Sequence, residues 1–260
     1  MPSYAAVLFS PSPSYEGEKQ NCVDQIYRKN LTLPDGVFEF ERAILRPILR
    51  GRDIGGYATP DSETLCVCPY DQEGVILSES TLKEHYPRAY RYLQTSRDIL
   101  ESRHRTDNVP WYGFTTNRIK RSLHSPKLIS SGVSSGASFA LEEKNLLCSS
   151  GVLVVRPRTR DIDPYFLPAI LNSSVFRKWA DYNMPSLGNG WRSFRVGTIR
   201  EFPIVLRNDE NQAIVREVVE RARSLMLEDW GTEDDDRTLQ EIDEKVCCLY
   251  NVSESRLSLH

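Results

Sequence analysis

Apolar positions repeat most clearly near the C-terminus. In ENQAIVREVVERARSLMLED, Ile214, Val218, Val219, Ala222 and Leu225 recur at helical spacing, so a long amphipathic helix is expected there, with Asp209 as its cap. RTLQEIDEKVCCLY presents Leu239, Ile242, Val246 and Leu249 in the same way, after an acidic loop, GTEDDD. The two helices are expected to pack as a hairpin. YFLPAILNSSVFRKWADY spaces Ile170, Leu171, Val175, Phe176 and Trp179 as one helix begun by Asp163-Pro164. Further upstream, Ser80 can cap a first helical turn, and Pro87 opens the run RAYRYLQTSRDILESRH.

Strand patterns are shorter. TLCVCPYD and GVILS read as buried strands, and ASFALEEKNLLCSSGVLVVRP as a hairpin turning at Glu143-Lys144-Asn145. Residues 130–138 read as a Ser/Gly loop, and MPSLGNGWRSFRVGTIREFPIVL as a glycine-rich loop leading into short strands. Residues 1–40 carry turn signals (SPSPSYEGE, LTLPDGVF) and read as an irregular lead-in or linker. The expected fold is α+β, with a twisted, mostly antiparallel sheet, flanking helices and a C-terminal helical hairpin. The boundaries expected are 1–40 for the lead-in, 41–206 for the main domain and 207–260 for the hairpin.

The 260 residues are 40% hydrophobic and 10% aromatic, enough for a packed core. No apolar run approaches the roughly 18 residues of a membrane span, and the N-terminus lacks a secretory pattern, so a cytoplasmic protein without membrane partners is expected. The net charge of -3 conceals a separation of signs. Residues 82–127 hold ten Lys or Arg against four acids, and residues 164–208 hold six against two. Residues 228–245 hold two against nine acids. A basic body with an acidic tail suits a polyanion-facing surface, although charged helix faces arise from solvation alone.

Reaction chemistry is harder to find. The chain has no G-x-x-x-x-G-K-[ST], no GxGxxG and no G-x-S-x-G. It also lacks a glycine-rich cofactor loop after a strand and a polar-Pro-Pro-aromatic motif. Glu142-Glu143-Lys144 spells the Glu-x-Lys of metal nucleases, but at an expected turn it reads as turn charge. His85, His104 and His124 have no matching nucleophile or carboxylate spacing. The six cysteines (Cys22, Cys66, Cys68, Cys148, Cys247, Cys248) form no CxxC pair and read as buried reduced thiols rather than metal ligands. No catalytic, metal or cofactor residue is therefore assigned.

Five segments, in order, resemble one family: LRPILRGRDIGGY, HYPRAYRYLQTSRDILESRHRTDNVPWY, SPKLI, YFLPAILNSSVFRKW, and FPIVLRNDENQAIVREVVERA with LQEIDEKVCCLYNVSE. Together they resemble the TaqI-like C-terminal specificity domain of adenine-specific DNA methyltransferases and fused restriction-modification enzymes. The resemblance covers about residues 42 to 254. It implies a target-recognition module for double-stranded DNA, working with a methyltransferase or restriction subunit. S-adenosylmethionine is expected only in a catalytic parent or partner. Two alternatives stay open: a fragment of a larger methyltransferase whose catalytic half lies elsewhere, and a diverged protein-interaction domain that does not bind DNA.

Sequence-specific binding needs cations for phosphates and a few side chains that reach base edges. The candidates are Arg50 and Arg52 of RGRDI, then Arg118, Lys120 and Arg121 after Trp111-Tyr112, then Lys127 of SPKLI, and finally Arg192 and Arg195 before FPI. Several have a bland alternative, which for Arg118, Lys120 and Arg121 is plain solvation. Asp53 can pair an arginine to fix its turn, Lys127 can pair internally, and Trp111-Tyr112 can close a core seam.

Overall fold

A computed structural model of the chain describes residues 8–11, 22–25, 39–57, 61–103, 108–114, 119, 126–157, 162–227 and 233–253. The chain divides into two compact units, one of residues 1–49, 61–124 and 145–150, the other of residues 50–60, 125–144 and 151–260.

The first unit contains a five-stranded sheet. Its strands are β1 (Leu8–Pro11), β2 (Cys22–Gln25), β3 (Leu45–Leu49), β4 (Leu65–Val67) and β8 (Leu147–Cys148), in the order β2-β1-β4-β3-β8. Neighbours are antiparallel except β3 and β8, where Ile48 and Leu49 run parallel to Leu147 and Cys148. Two of these strands fall in the stretch expected to be irregular. The GVILS segment makes only an isolated bridge, Tyr70 to Ile76.

Three helices follow: α1 (Glu79–His85), α2 (Pro87–Thr95) and α3 (Arg97–Glu101). Ser78, not Ser80, caps α1, its Oγ accepting from the Thr81 N–H at 3.1 Å. Pro87 occupies the first turn of α2, where its missing N–H costs nothing. Leu82, Tyr92, Leu93 and Leu100 bury against Phe40, Ile44, Val67, Trp111 and Tyr112. Trp111 and Tyr112 therefore close the core seam, their rings edge-on at 5.4 Å. Cys66 and Cys68 join Ile48, Tyr70 and Leu147 in a smaller cluster. Burial raises the Cys66 thiol and pushes that of Cys68 up to about 11. Cys148 is half-buried and Cys248 exposed, so the expectation of buried thiols holds for Cys66, Cys68 and Cys247.

In the second unit, β5 (Lys127–Ser131) is the middle strand of three, flanked antiparallel by β7 (Phe139–Glu142) and β9 (Val152–Val155). The hairpin expected over residues 137–157 does not form. β7 and β9 each pair with β5 instead, because β5 buries Lys127 to Ser130 in succession and serves both as a central strand. A third sheet joins β10 (Ser186–Gly188), β11 (Trp191–Ser193) and β6 (Val133–Ser134) in the order β10-β11-β6. β6 thus lies inside the stretch read as a Ser/Gly loop.

The helix expected after Asp163-Pro164 is two, α4 (Phe166–Leu171) and α5 (Ser174–Asn183). Ser173 caps α5 by accepting from the Phe176 N–H at 3.2 Å. Asn172 turns to the sheet, where its amide accepts from the Phe139 N–H at 2.7 Å and donates to the Phe139 carbonyl at 2.8 Å. After the short α6 (Val196–Ile199) come α7 (Gln212–Leu227) and α8 (Glu233–Leu249). Residues 233–236 are the first turn of α8 rather than a loop, and the charges of Asp234, Asp235 and Asp236 there meet the positive end of the helix dipole. Arg221 and Lys245 pair across α7 and α8 with Glu241 and Glu217. Both helices share one core with α4, α5 and the central sheet, through Val218, Ala222, Leu225, Ile242 and Val246 against Phe139, Phe176 and Phe202. The fold is α+β with a C-terminal helical pair, and the described residues form three small sheets. Among the described residues no helix is long and apolar enough to cross a membrane.

Candidate nucleic-acid interface

Five of the candidate cations, Arg50, Arg52, Lys127, Arg192 and Arg195, lie in the second unit, and backbone contacts tie their segments together. RGRD folds into a single 3-10 turn, Gly51–Asp53. Asp53 fixes it, accepting from the Arg50 N–H at 2.7 Å and pairing with Arg50 Nε at 3.4 Å. Arg50 is thus used largely as a structural partner, its side chain 12% exposed, while Arg52 reaches outward with 57% of its side chain exposed. Asp53 also pairs with Arg52, whose Nε lies 3.9 Å from its Oδ1, so the structural reading of this turn covers both arginines.

Gly51 lets the turn lie against the end of β5. A Cβ there would meet Ser131 Oγ at 2.8 Å and the Gly151 carbonyl oxygen at 3.1 Å, so a larger residue would have to displace the Ser131 side chain and press on the Gly151 backbone. The next residue, Gly132, donates to the Gly151 carbonyl at 2.8 Å and accepts from the Phe194 N–H at 2.9 Å. The turn bearing Arg52 and the segment bearing Arg192 and Arg195 therefore converge on residues 131–132.

The stretch read as a glycine-rich loop is a β-hairpin. Asn189 and Gly190 both have left-handed φ, 49° and 77°, as a tight two-residue hairpin turn requires. The register slips between Ser186 and Gly188, and Gly188 at φ 88° accommodates that bulge. Arg192 anchors the hairpin to α5, its Nε donating to Asp181 at 2.8 Å. Ser193 donates to the Pro185 carbonyl at 2.9 Å. Arg195 precedes α6 as an exposed cation, with no side-chain partner among the described residues. Around these arginines stand apolar groups in solvent: Leu187 is 56% exposed, Trp191 46%, Val133 48% and Tyr182 73%.

Lys127 requires a correction. Its side chain is completely buried and forms an ion pair with Glu142, which is completely buried too. An ammonium group with no exposed surface cannot reach a phosphate, so Lys127 belongs to the core. Glu142, read as turn charge, is its partner on β7. Arg118, Lys120 and Arg121 lie outside the described residues. Part of the basic excess of residues 82–127 is also structural. Arg103 donates to the carbonyls of Leu100, Trp111 and Gly113 at 3.0, 2.9 and 3.1 Å. Arg97 pairs with Glu101 and lies over the Trp111 ring at 5.1 Å.

Sequence reasoning had the arginines of the hairpin but missed the ribbon that carries them and the exposure of Leu187 and Tyr182. The Asn-Gly pair was the available signal, because it is the strongest local mark of a tight hairpin. Among the described residues no group of three or more His, Cys, Asp or Glu is placed to hold a metal ion.

No family model matches the chain. It is similar to the type II methyltransferase M.MjaIV of Methanocaldococcus jannaschii, 28% identical over 163 residues, which are 59% of this chain and 51% of that protein. It is also similar to the type II methyltransferase M.PaeR7I of Pseudomonas aeruginosa, 29% identical over 140 residues, 53% of this chain and 24% of that protein. The chain spans about half the length of the first relative and about a quarter of the second. Over more than half of its own length, the chain is thus similar to two type II methyltransferases.

Proposed function

We propose that this chain is a DNA target-recognition module, serving an adenine-specific methyltransferase of a restriction-modification or related antiphage system. The observation that carries the reading is the convergence on residues 131–132 of an exposed Arg52 turn and an arginine-bearing hairpin. Cations in such an array neutralise phosphates and release counterions, which gives affinity. Preorganised loops and ribbons beside them can reach base edges, which gives sequence choice. The similarity to two type II methyltransferases supports the setting. S-adenosylmethionine would then be held by the catalytic parent or partner, not by the groups described here.

A second reading joins the same module to a catalytic half in one longer enzyme. The partial span of both relatives keeps that reading in play. It changes where methyl transfer occurs, not what this surface does.

The test is selection of bound duplexes from a random-sequence pool by the full chain, with and without a separately encoded methyltransferase. Enrichment of one short sequence is the expected result. Binding without enrichment overturns the proposal of sequence recognition, and no binding in either arm overturns it in favour of a protein-interaction domain that does not bind DNA.

A further inference from the structure

We infer that the β10–β11 hairpin is the base-reading element, entering the major groove with Leu187 and Trp191 as its apolar contacts. This deepens the target-recognition reading and rests on it.

The hairpin separates its apolar residues by position. At its base, Met184 and Phe194 are 4% exposed and belong to the core. At its tip, Leu187 and Trp191 stay in solvent, and Val133 on the adjoining strand does likewise. Single exposed apolar residues are ordinary. Here two occur within five residues, on a ribbon whose other residues from 186 to 193 are glycine or polar.

Charge selects the occupant. Residues 186–195, SLGNGWRSFR, contain two arginines and no acid. Asp181 on α5 engages Arg192, while Arg195 stays exposed. An exposed arginine at the base of an acid-free ribbon with an apolar tip complements a polyanion with apolar features in its groove. DNA supplies both, because the thymine methyl lies in the major groove between two phosphate backbones.

Geometry agrees. The major groove is about 12 Å wide and admits a two-stranded β-ribbon. The Asn189-Gly190 turn keeps the tip narrow, and the bonds of Arg192 to Asp181, Ser193 to Pro185 and Phe194 to Gly132 fix its base. A reader held this way loses little freedom on binding. Arg52 and Arg195 would then grip phosphates, and Leu187 and Trp191 would distinguish bases.

The experiment compares the full chain with Leu187→Ala/Trp191→Ala and with Arg195→Ala, using random duplexes and then the duplex that the wild type enriches. The double variant is expected to keep the wild-type salt dependence while its preference for the enriched duplex falls about tenfold or more. Replacing thymine by deoxyuridine in that duplex should weaken the wild type and leave the double variant unchanged. Arg195→Ala should instead weaken binding to all duplexes alike. If the double variant loses its fold, single Leu187→Ala, at an exposed position, carries the same comparison. Undiminished preference in the variant, or no effect of deoxyuridine on the wild type, overturns the inference while leaving DNA recognition intact. No enrichment by the wild type removes the recognition reading itself, and the inference with it.

Discussion

Lys127 and Glu142 face each other across the β5–β7 ladder, and both side chains are fully withdrawn from solvent. Desolvating two charges is costly, and their attraction offsets that cost only while both remain. Lys127→Met or Glu142→Leu alone should destabilise the chain by about 3–5 kcal/mol, because each leaves a buried charge without its partner. The double variant should recover most or all of that loss. Urea unfolding of the four proteins checks this, and additive losses would show that the two residues act independently.

Asn172 makes a second non-local join, bonding both backbone groups of Phe139. Asn172→Ala should cost roughly 2 kcal/mol, since it leaves a donor and an acceptor on β7 in need of other partners. Asn172→Asp keeps the acceptor and loses the donor, so it should fall between. Denaturation midpoints with unchanged slopes would confirm the order.

The C-terminal helices should weaken in acid. Hydrogen bonding to Lys245 holds the Glu217 carboxyl below its ordinary 4.5, and Arg221 does the same for Glu241. A carboxylate with a lowered folded pKa contributes stability above its unfolded value and loses it as pH falls through the folded one. Thermal midpoints should therefore hold steady down to about pH 4.5 and then decline. Lys245→Met should make that decline shallower. A decline of unchanged steepness in the variant would contradict the assignment.

Local signals in the chain foretold the elements that depend on local physics. The apolar stripes of α7 and α8 appear at helical spacing, and Pro87 marks the start of α2. What stayed hidden depends on distant partners. Nothing near β7 or β9 in the sequence says that each pairs with β5, since β-pairing is settled by which strand is buried on both sides. Lys127 looked like a surface cation because lysine is almost never buried without a partner, and Glu142 lies fifteen residues away. Helix breaks at Ser96 and at Asn172-Ser173 were masked by continuous apolar spacing. The arginines of the candidate site were legible by residue type, but their grouping depends on close backbone approach at Gly51, Gly132 and Gly151.

Duplex binding by the full chain, followed by fluorescence anisotropy across stepped salt concentrations, tests the central claim most directly. Affinity should fall steeply with salt, with a slope of about -0.9 for each phosphate neutralised. Arg52→Ala/Arg195→Ala should reduce that slope by about 2. No measurable affinity at low salt, or an unchanged slope in the double variant, would contradict the account.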